Sequence, residues 1–305
     1  MKLQLLSDLH LECQPDHPIT PAPDADLLVL AGDVGSYQDG HLLGDADDPH
    51  WGLNRFSPRL GTWPVPVLYV PGNHEYDGRD FDTTHAQLQA RCEALGITWL
   101  EQRCLVIAGV RFIGSTLWTD FDALVQPQER PATALKRREK AFRAANWYLR
   151  TTGTTRQGEP LLAEGVRTLA LEARAWLATA LAQTHAGPTV VVTHFAPTLH
   201  SLDPRYGLTP GTAGFCNSWD DLLPQAQMWL HGHLHCAHDY HHLGCHVVAN
   251  PLGYAEKDEQ RHWRGQGVWT VPGTAPTPPH HQPLDFTHDT WAKLDAHQAL
   301  APPGV

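Results

Sequence analysis

Five short apolar runs, each followed at once by polar residues, constrain the fold of this 305-residue chain more than any other feature. They are KLQLL before Ser7, DLLVLAG before Asp33, PVLYVPG before Asn73, PTVVVT before His194 and MWL before His231. Continuous apolar runs bounded by turn residues are typical of strands that are buried on both faces. In open α/β sheets the ligand crevice lies beyond the carboxyl ends of the strands. The sequence therefore predicts that the five polar clusters converge on one site.

Helical patterns lie between some of these runs. They cover residues 82–95, with Gly96 as the C-cap, and residues 160–185. An apolar strand pair is expected around residues 105–114. Alternating strands and helices predict an α/β fold with a layered β-sheet core flanked by helices.

One catalytic domain is expected over residues 1–272. Between about residues 118 and 160, the basic stretch ATALKRREKAFRAANWYLR predicts an inserted helical cap. Its basic side chains either steer phosphate esters towards the site or form only a solvated helix face; they are Lys136, Arg137, Arg138, Lys140 and Arg143. Residues 273–305 are expected to form a Pro-rich linker and a short C-terminal helical tail.

The amino-acid composition limits which binding partners and which cellular compartment are expected for this protein. The formal charge of −11, from 22 basic and 33 acidic residues, repels a phosphate backbone, so binding of extended duplex nucleic acid is disfavoured. The N-terminal stretch MKLQLLSDLHLE has no apolar signal region, and no later run approaches 18 apolar residues, which predicts a cytoplasmic protein without a membrane segment. Six cysteines without a C-x-x-C pair indicate reduced thiols, whereas 21 histidines favour a metal or acid–base site.

The polar clusters offer ligands suited to two metal ions. Asp8 and His10 are two residues apart, and side chains two apart in an extended segment point the same way. Carboxylates, an amide oxygen and neutral imidazoles are suitable ligands for a pair of divalent ions, and one carboxylate can bridge them. The other clusters are Gly32-Asp33, Gly72-Asn73-His74-Glu75, Thr193-His194 and His231-Gly232-His233-Leu234-His235. The glycines before Asp33, Asn73 and His233 are expected to allow tight backbone turns.

Taken in order, D-x-H, G-D, G-N-H-E, a lone H and G-H-x-H resemble the motifs of the calcineurin-like metallophosphoesterases and span Asp8 to His235. The flanking segments STLWTDF and NPLGY extend the resemblance to about Tyr254. The resemblance implies a first metal held by Asp8, His10, Asp33 and His235. It implies a second metal held by Asp33, Asn73, His194 and His233, so that Asp33 bridges. It also implies that His74 binds no metal and contacts the phosphoryl group or the leaving oxygen.

A dinuclear site of this kind predicts hydrolysis of a small phosphoester by a metal-bridging hydroxide. The ligand types suit Mn, Fe, Zn, Co or Ni, and we take manganese as the working choice. In related phosphoprotein phosphatases the second motif reads G-D-x-x-D-R-G, whereas here it reads GDVGSYQDG. Without that arginine the second charge of a phosphomonoester has no assigned partner, which favours phosphodiesters. Asp39 or Asp77 could orient His74.

Several alternatives stay open from the sequence. The protein could be a nuclease acting on single-stranded nucleic acid, a phosphomonoesterase, or a binding module of the same fold without catalysis. His231 is either a residue behind the ligands or a plain turn residue, and Arg205 and Tyr206 either line the substrate pocket or close a loop. One or two of the 11 tryptophans could lie near the cleft.

Overall fold

Two β-sheets form the centre of the protein in the computed structural model, which describes residues 1–44, 46–126 and 128–274. The helices are α1 (Phe81–Leu95), α2 (Pro131–Thr152) and α3 (Ala163–Ala182). In chain order the strands are β1 (Lys2–Leu6), β2 (Leu27–Ala31), β3 (Val67–Val70), β4 (Thr98–Trp99), β5 (Arg103–Ile107), β6 (Val110–Ser115), β7 (Thr155–Arg156), β8 (Glu159–Pro160), β9 (Thr189–Thr193), β10 (Met228–His231), β11 (His238–His242), β12 (Cys245–Ala249) and β13 (Val268–Thr270).

The two large sheets are mostly parallel and carry antiparallel strands at their edges. The first has the order β13-β1-β2-β3-β4, with only β13 antiparallel to its neighbour. The second has the order β11-β12-β10-β9-β6-β5, with antiparallel pairs at both ends. The short strands β7 and β8 pair with each other. The predicted layered α/β fold is confirmed.

Burial of both strand faces explains the continuous apolar runs. Along β2, Val29 belongs to a cluster shared with residues of the second sheet, so it lies between the two sheets. Its neighbours Leu28 and Leu30 belong to a second cluster that includes residues of α1 and α3. Successive side chains of a strand point to opposite faces, so a strand with a sheet on one side and helices on the other must be apolar throughout.

The helices follow their sequence signals closely. Helix α1 begins after Asp80, whose side chain accepts a hydrogen bond from the Thr83 amide at 3.0 Å, and it ends at Gly96 with φ 69°. Helix α3 is shorter than predicted, because Pro160 is paired in β8 and Leu162 is extended before the first turn. Within the described residues, no helix combines the length and the apolar character needed to cross a membrane.

The hairpin of β11 and β12 and the strand β13 were not predicted from the sequence. Strand β11 reads HDYHH and has no alternation of apolar and polar residues. His238, Tyr240 and His242 are half-buried, and the other two residues are exposed. All six cysteines are free thiols, as predicted.

Helix α2 and the ribbon of β7 and β8 lie in the segment that was predicted to form the cap. The limits of the catalytic domain stay predictions. Residues 275–305 of the predicted tail lie outside the described residues.

Candidate metal centre

The seven predicted ligands all lie in loops that leave the carboxyl ends of parallel strands. Asp8, Asp33 and Asn73 follow β1, β2 and β3, and His194 and His233 follow β9 and β10. The structure brings these loops together, since His194 of the second sheet lies 3.1 Å from the Asp33 carboxylate of the first. The predicted convergence at one end of the sheets is confirmed.

Most of these ligands have a left-handed backbone. The φ angles are 51° at Asp8, 45° at His10, 52° at Asp33, 72° at His233 and 48° at His235. The expectation that Asp8 and His10 share an extended segment is therefore wrong, because β1 ends at Leu6 and the chain coils beyond it. Residues with a Cβ pay roughly 1–2 kcal/mol in this region, and such strain clusters at functional sites.

The three glycines that precede Asp33, Asn73 and His233 mainly provide space for the ligand side chains, and only one of them has a backbone conformation that requires glycine. Of Gly32, Gly72 and Gly232, only Gly32 has a positive φ, +85°, a conformation that residues with a side chain rarely adopt. A Cβ at Gly72 would lie 2.1 Å from Asp33 Oδ1, and one at Gly232 would lie 2.6 Å from Asp8 Oδ2. The predicted role in turning is thus corrected at Gly72 and Gly232, where the absence of a side chain lets a ligand carboxylate approach the backbone.

Asp8, His10 and His235 form the first ligand group. The Nε2 atoms of His10 and His235 lie 3.1 Å apart, and His235 Nε2 lies 3.4 Å from Asp8 Oδ1. The outer Nδ1 atoms donate to carboxylates, His10 to Glu12 at 2.8 Å and His235 to Glu259 at 2.6 Å. In a neutral imidazole the other nitrogen then carries only a lone pair. Two lone pairs and a carboxylate oxygen therefore face one point.

His194 is the centre of the second group. Its Nδ1 donates to the Ala31 carbonyl at 2.8 Å, which leaves Nε2 as an acceptor. That atom lies 3.1 Å from both Asp33 Oδ2 and Asn73 Oδ1, and 3.2 Å from His233 Nδ1. Asp33 also lies within 4.8 Å of the ligand atoms of His10 and His74, a position between the two groups that suits a bridging carboxylate.

The donor set fits a pair of divalent cations. Buried acceptors that face one another without protons repel unless a cation lies among them. Burial alone would lower the pKa of His194, but the Asp33 carboxylate outweighs it and raises that pKa to about 9. The pKa of His235 also rises to about 9 because the bond to Asp8 outweighs burial. Asp8 Oδ2 is buried with no hydrogen-bond partner among the described residues. Imidazole, carboxylate and amide ligands suit first-row ions such as manganese and zinc.

His74 lies beside both ligand groups, and separate hydrogen bonds hold its ring in place. Its Nδ1 lies 2.5 Å from Asp77 Oδ2, so Asp77, and not Asp39, orients the ring. Its Nε2 lies 3.2 Å from the hydroxyl of Tyr148 on α2, which brings the cap segment to the site. Burial would lower the pKa of His74, but the Asp77 carboxylate raises it well above its usual range.

Sequence reasoning missed the residues that hold the ligands in place. Glu12 and Glu259 fix the rings of His10 and His235, and Tyr254 stacks on His10 with ring centroids 4.3 Å apart. Glu75 accepts hydrogen bonds from the backbone amides of Gly72, Asp33 and Val34 at 2.7–3.1 Å, which ties two ligand loops together. Glu75 is the last residue of the G-N-H-E motif and Glu12 lies two residues after His10, but the sequence assigned neither of them this role, and Glu259 had no signal.

The remaining predicted pocket residues do not join this cluster. His231 is buried and bonds to Ser201 at 2.9 Å and to the Gly232 carbonyl at 3.0 Å. Arg205 pairs with Asp203 at 2.7 Å, and Tyr206 is 66% exposed. These contacts favour the loop-closing interpretation of Arg205 and Tyr206.

The basic stretch on α2 is partly neutralised by acids. Arg138 forms two hydrogen bonds of 2.7 Å with Asp122, and Arg137 bonds to Glu129 at 2.7 Å. These pairs favour a solvated helix face over a surface that steers phosphate esters.

A family model described as calcineurin-like phosphoesterase matches residues 2–237. The chain belongs to this family. The predicted resemblance is thereby confirmed, and with it a phosphoester hydrolase of a family that uses a dinuclear metal centre.

Two relatives show how far the likeness extends. An uncharacterized protein of Acanthamoeba polyphaga mimivirus is 23% identical over 231 residues, which cover 71% of this chain and 78% of the viral protein. The crystal structure of a phosphopantetheinyl hydrolase from Mycobacterium tuberculosis is similar with a TM-score of 0.62 and 21% identity. That alignment covers 92% of this chain and 98% of the mycobacterial chain, and at this identity it shows a shared fold.

Proposed function

We propose that the protein hydrolyses small phosphoesters at a dinuclear metal site and prefers diesters to monoesters. The observation that carries the proposal is the convergence of imidazole nitrogens and carboxylate oxygens on both sides of Asp33, next to a histidine held by Asp77. In this proposal Asp33 contacts both ions; Asp8, His10 and His235 complete one site, and Asn73, His194 and His233 the other. When bound, the two ions neutralise phosphoryl charge and activate water as the nucleophile.

His74 moves the proton that the reaction requires. Asp77 holds the Nδ1 proton, so the proton available for transfer is the one on Nε2. As the water oxygen forms its bond to phosphorus and the ester bond breaks, Nε2 donates this proton to the departing oxygen. The raised pKa of His74 favours the protonated ring that this step needs.

The charges around the site support a diester substrate. Besides burial, the groups that act on the Asp8 and Asp33 carboxylates are histidines, and Asp33 also acts on Asp8. A phosphomonoester carries close to two negative charges at pH 7, whereas a diester carries one. The second charge of a monoester would therefore face carboxylates without an arginine partner from the second motif.

The test compares bis(p-nitrophenyl) phosphate with p-nitrophenyl phosphate on protein loaded with Mn²⁺, with metal content measured in the same samples. We expect a higher kcat/KM for the diester. The reverse order would identify a phosphomonoesterase, and faster cleavage of a single-stranded oligonucleotide would identify a nuclease. No hydrolysis at two bound metals per chain would contradict catalysis. A phosphopantetheinyl ester belongs in the panel because the structurally similar mycobacterial protein is described as a phosphopantetheinyl hydrolase.

A further inference from the structure

An apolar cavity of about 70 Å³ opens directly beside two predicted metal ligands, Asn73 and His233. Its walls come from separate parts of the chain: the loop after β6, helices α2 and α3, the residue after His194, and the turn at Pro210–Gly214. The side chains that define it are Trp118, Phe121, Phe195, Phe215, Ala144 and Tyr148. The cavity therefore forms only when the cap segment packs on the sheet core.

No Asp, Glu, Lys or Arg is among the residues that line this cavity. Besides Asn73 and His233, the polar groups are the hydroxyls of Thr119 and Tyr148. Moving a charged group from water into such surroundings without a partner is strongly unfavourable. The cavity thus selects against carboxylate, ammonium and further phosphate groups.

Ring contacts join the cavity to the ligand cluster. The His233 ring lies 3.9 Å from that of Phe195 and 5.6 Å from that of Phe215, measured between centroids. Tyr148 lines the cavity and places its hydroxyl 3.2 Å from His74 Nε2. A molecule whose phosphoryl group lies at the ligand cluster can therefore extend one ester group into the cavity without leaving the site.

We propose that this cavity receives a short, uncharged alkyl group of the substrate, which makes the substrate a phosphoester of an apolar alcohol. An apolar cavity of about 150 Å³ holds benzene, so a cavity near half that size accepts a chain of a few carbons and excludes a nucleobase. This inference rests on the proposed function, because that function supplies the position of the phosphoryl group.

Alkylphosphonates test the inference, because they carry one phosphoryl group and one organic group and cannot be hydrolysed at their C–P bond. Titration calorimetry on Mn²⁺-loaded protein would compare methyl-, ethyl-, propyl- and butylphosphonate with 3-phosphonopropionate. We expect the affinity to rise roughly threefold to fourfold per methylene, the equivalent of about 0.8 kcal/mol per buried CH₂. The chain that ends in a carboxylate should gain nothing over methylphosphonate.

Two alanines of α2 provide a matched pair of variants. Ala144 is exposed and lines the cavity, so Ala144→Leu should fill the entrance and reduce the ratio of butyl to methyl affinity to about threefold or less. Ala132 is exposed on the same helix away from the cavity, and Ala132→Leu should keep the wild-type ratio. Unfolding curves of both variants would confirm that they fold.

The outcomes separate the cavity from the proposed hydrolysis. Affinity that does not change with chain length, an equal gain in Ala144→Leu, or no phosphonate binding at all would overturn the cavity assignment, even if diesters are hydrolysed. A gain that Ala144→Leu abolishes and Ala132→Leu retains would establish it, even if no ester is hydrolysed.

Discussion

On one side of Asn73 and His233 lie loops whose ligands are buried, left-handed and held by acids such as Glu12 and Glu259. On the other side lies a wall of aromatic rings and small residues, partly contributed by α2. A Cβ at Gly72 in the loops would clash with a ligand carboxylate, whereas a Cβ at Gly211 or Gly214 of the wall would meet its nearest neighbours only at 3.5–3.6 Å. The difference indicates that the loops determine the chemistry and that the wall selects the substrate.

The strongest test of the ligand side is Asp33→Asn. Because Asp33 lies between both ligand groups, its loss removes several kcal/mol of charge stabilisation, so we expect diester hydrolysis to fall by roughly 10⁴-fold. Metal analysis should show fewer than two ions per chain. Asp39→Asn, an exposed change in the same segment, should leave both quantities unchanged. Near-normal turnover with two bound ions in Asp33→Asn would refute the bridging assignment.

His74→Ala tests whether a residue of the ligand loops acts without binding metal. We expect both ions to remain while turnover falls by roughly 10²–10⁴-fold, the range for loss of an acid–base group. The loss should shrink as the leaving group improves, since an activated phenolate needs little protonation. Measurements on a series of aryl and alkyl esters would show this, and a uniform loss would indicate a role in phosphate positioning.

Tyr148→Phe tests a hydrogen bond that links the two sides. Removal of the hydroxyl that faces His74 Nε2 should reduce kcat by roughly 2- to 12-fold, because such bonds contribute about 0.5–1.5 kcal/mol. Metal content should not change. A loss as large as that of His74→Ala would mean that α2 takes part in the chemistry and would break the division between the two sides.

Glu101→Gln should give the smallest effect, on stability and not on turnover. Burial raises the pKa of Glu101 from its ordinary value of 4.5 to about 7, although Thr116 and Ser115 donate hydrogen bonds to it. Between these pH values the folded state keeps a proton that the unfolded state has lost, so the free energy of unfolding falls as the pH rises.

Denaturant unfolding at pH 5 and pH 8 would measure this contribution. The fall for the wild type should exceed that for Glu101→Gln by on the order of 2 kcal/mol. Glu93→Gln, an exposed change on α1, should behave as the wild type. Identical pH dependence in Glu101→Gln and wild type would show that Glu101 ionises normally.

The part of the site that the sequence could predict is the part that follows strands. Asp33 and His194 come directly after apolar runs, so each was expected at the carboxyl end of a parallel strand, and the packing of the two sheets on each other brings them together. Family motifs then supplied the division of the ligands between two ions. Left-handed backbone at Asp8 and His10 could not be predicted, because neither residue type requires it and tertiary packing enforces it.

The cavity and the supporting acids were beyond sequence reasoning for another reason. Tyr148 and Phe215 are far apart in the chain and come together only through packing of α2 on the turn at Pro210–Gly214. Glu259 bonds to His235 across 24 residues that include the hairpin of β11 and β12. Contacts of this kind have no spacing that a sequence pattern could reveal.

Gly72 also determines how this enzyme can evolve. Any other residue there would place a Cβ on the Asp33 carboxylate, so Gly72 and Asp33 can be altered only together and at the expense of the site. Around Gly211, on the cavity wall, a new Cβ would meet only the Thr209 hydroxyl at 3.5 Å. Selection for new substrates, in nature or in a mutant library, therefore has free positions on the wall and almost none in the ligand loops.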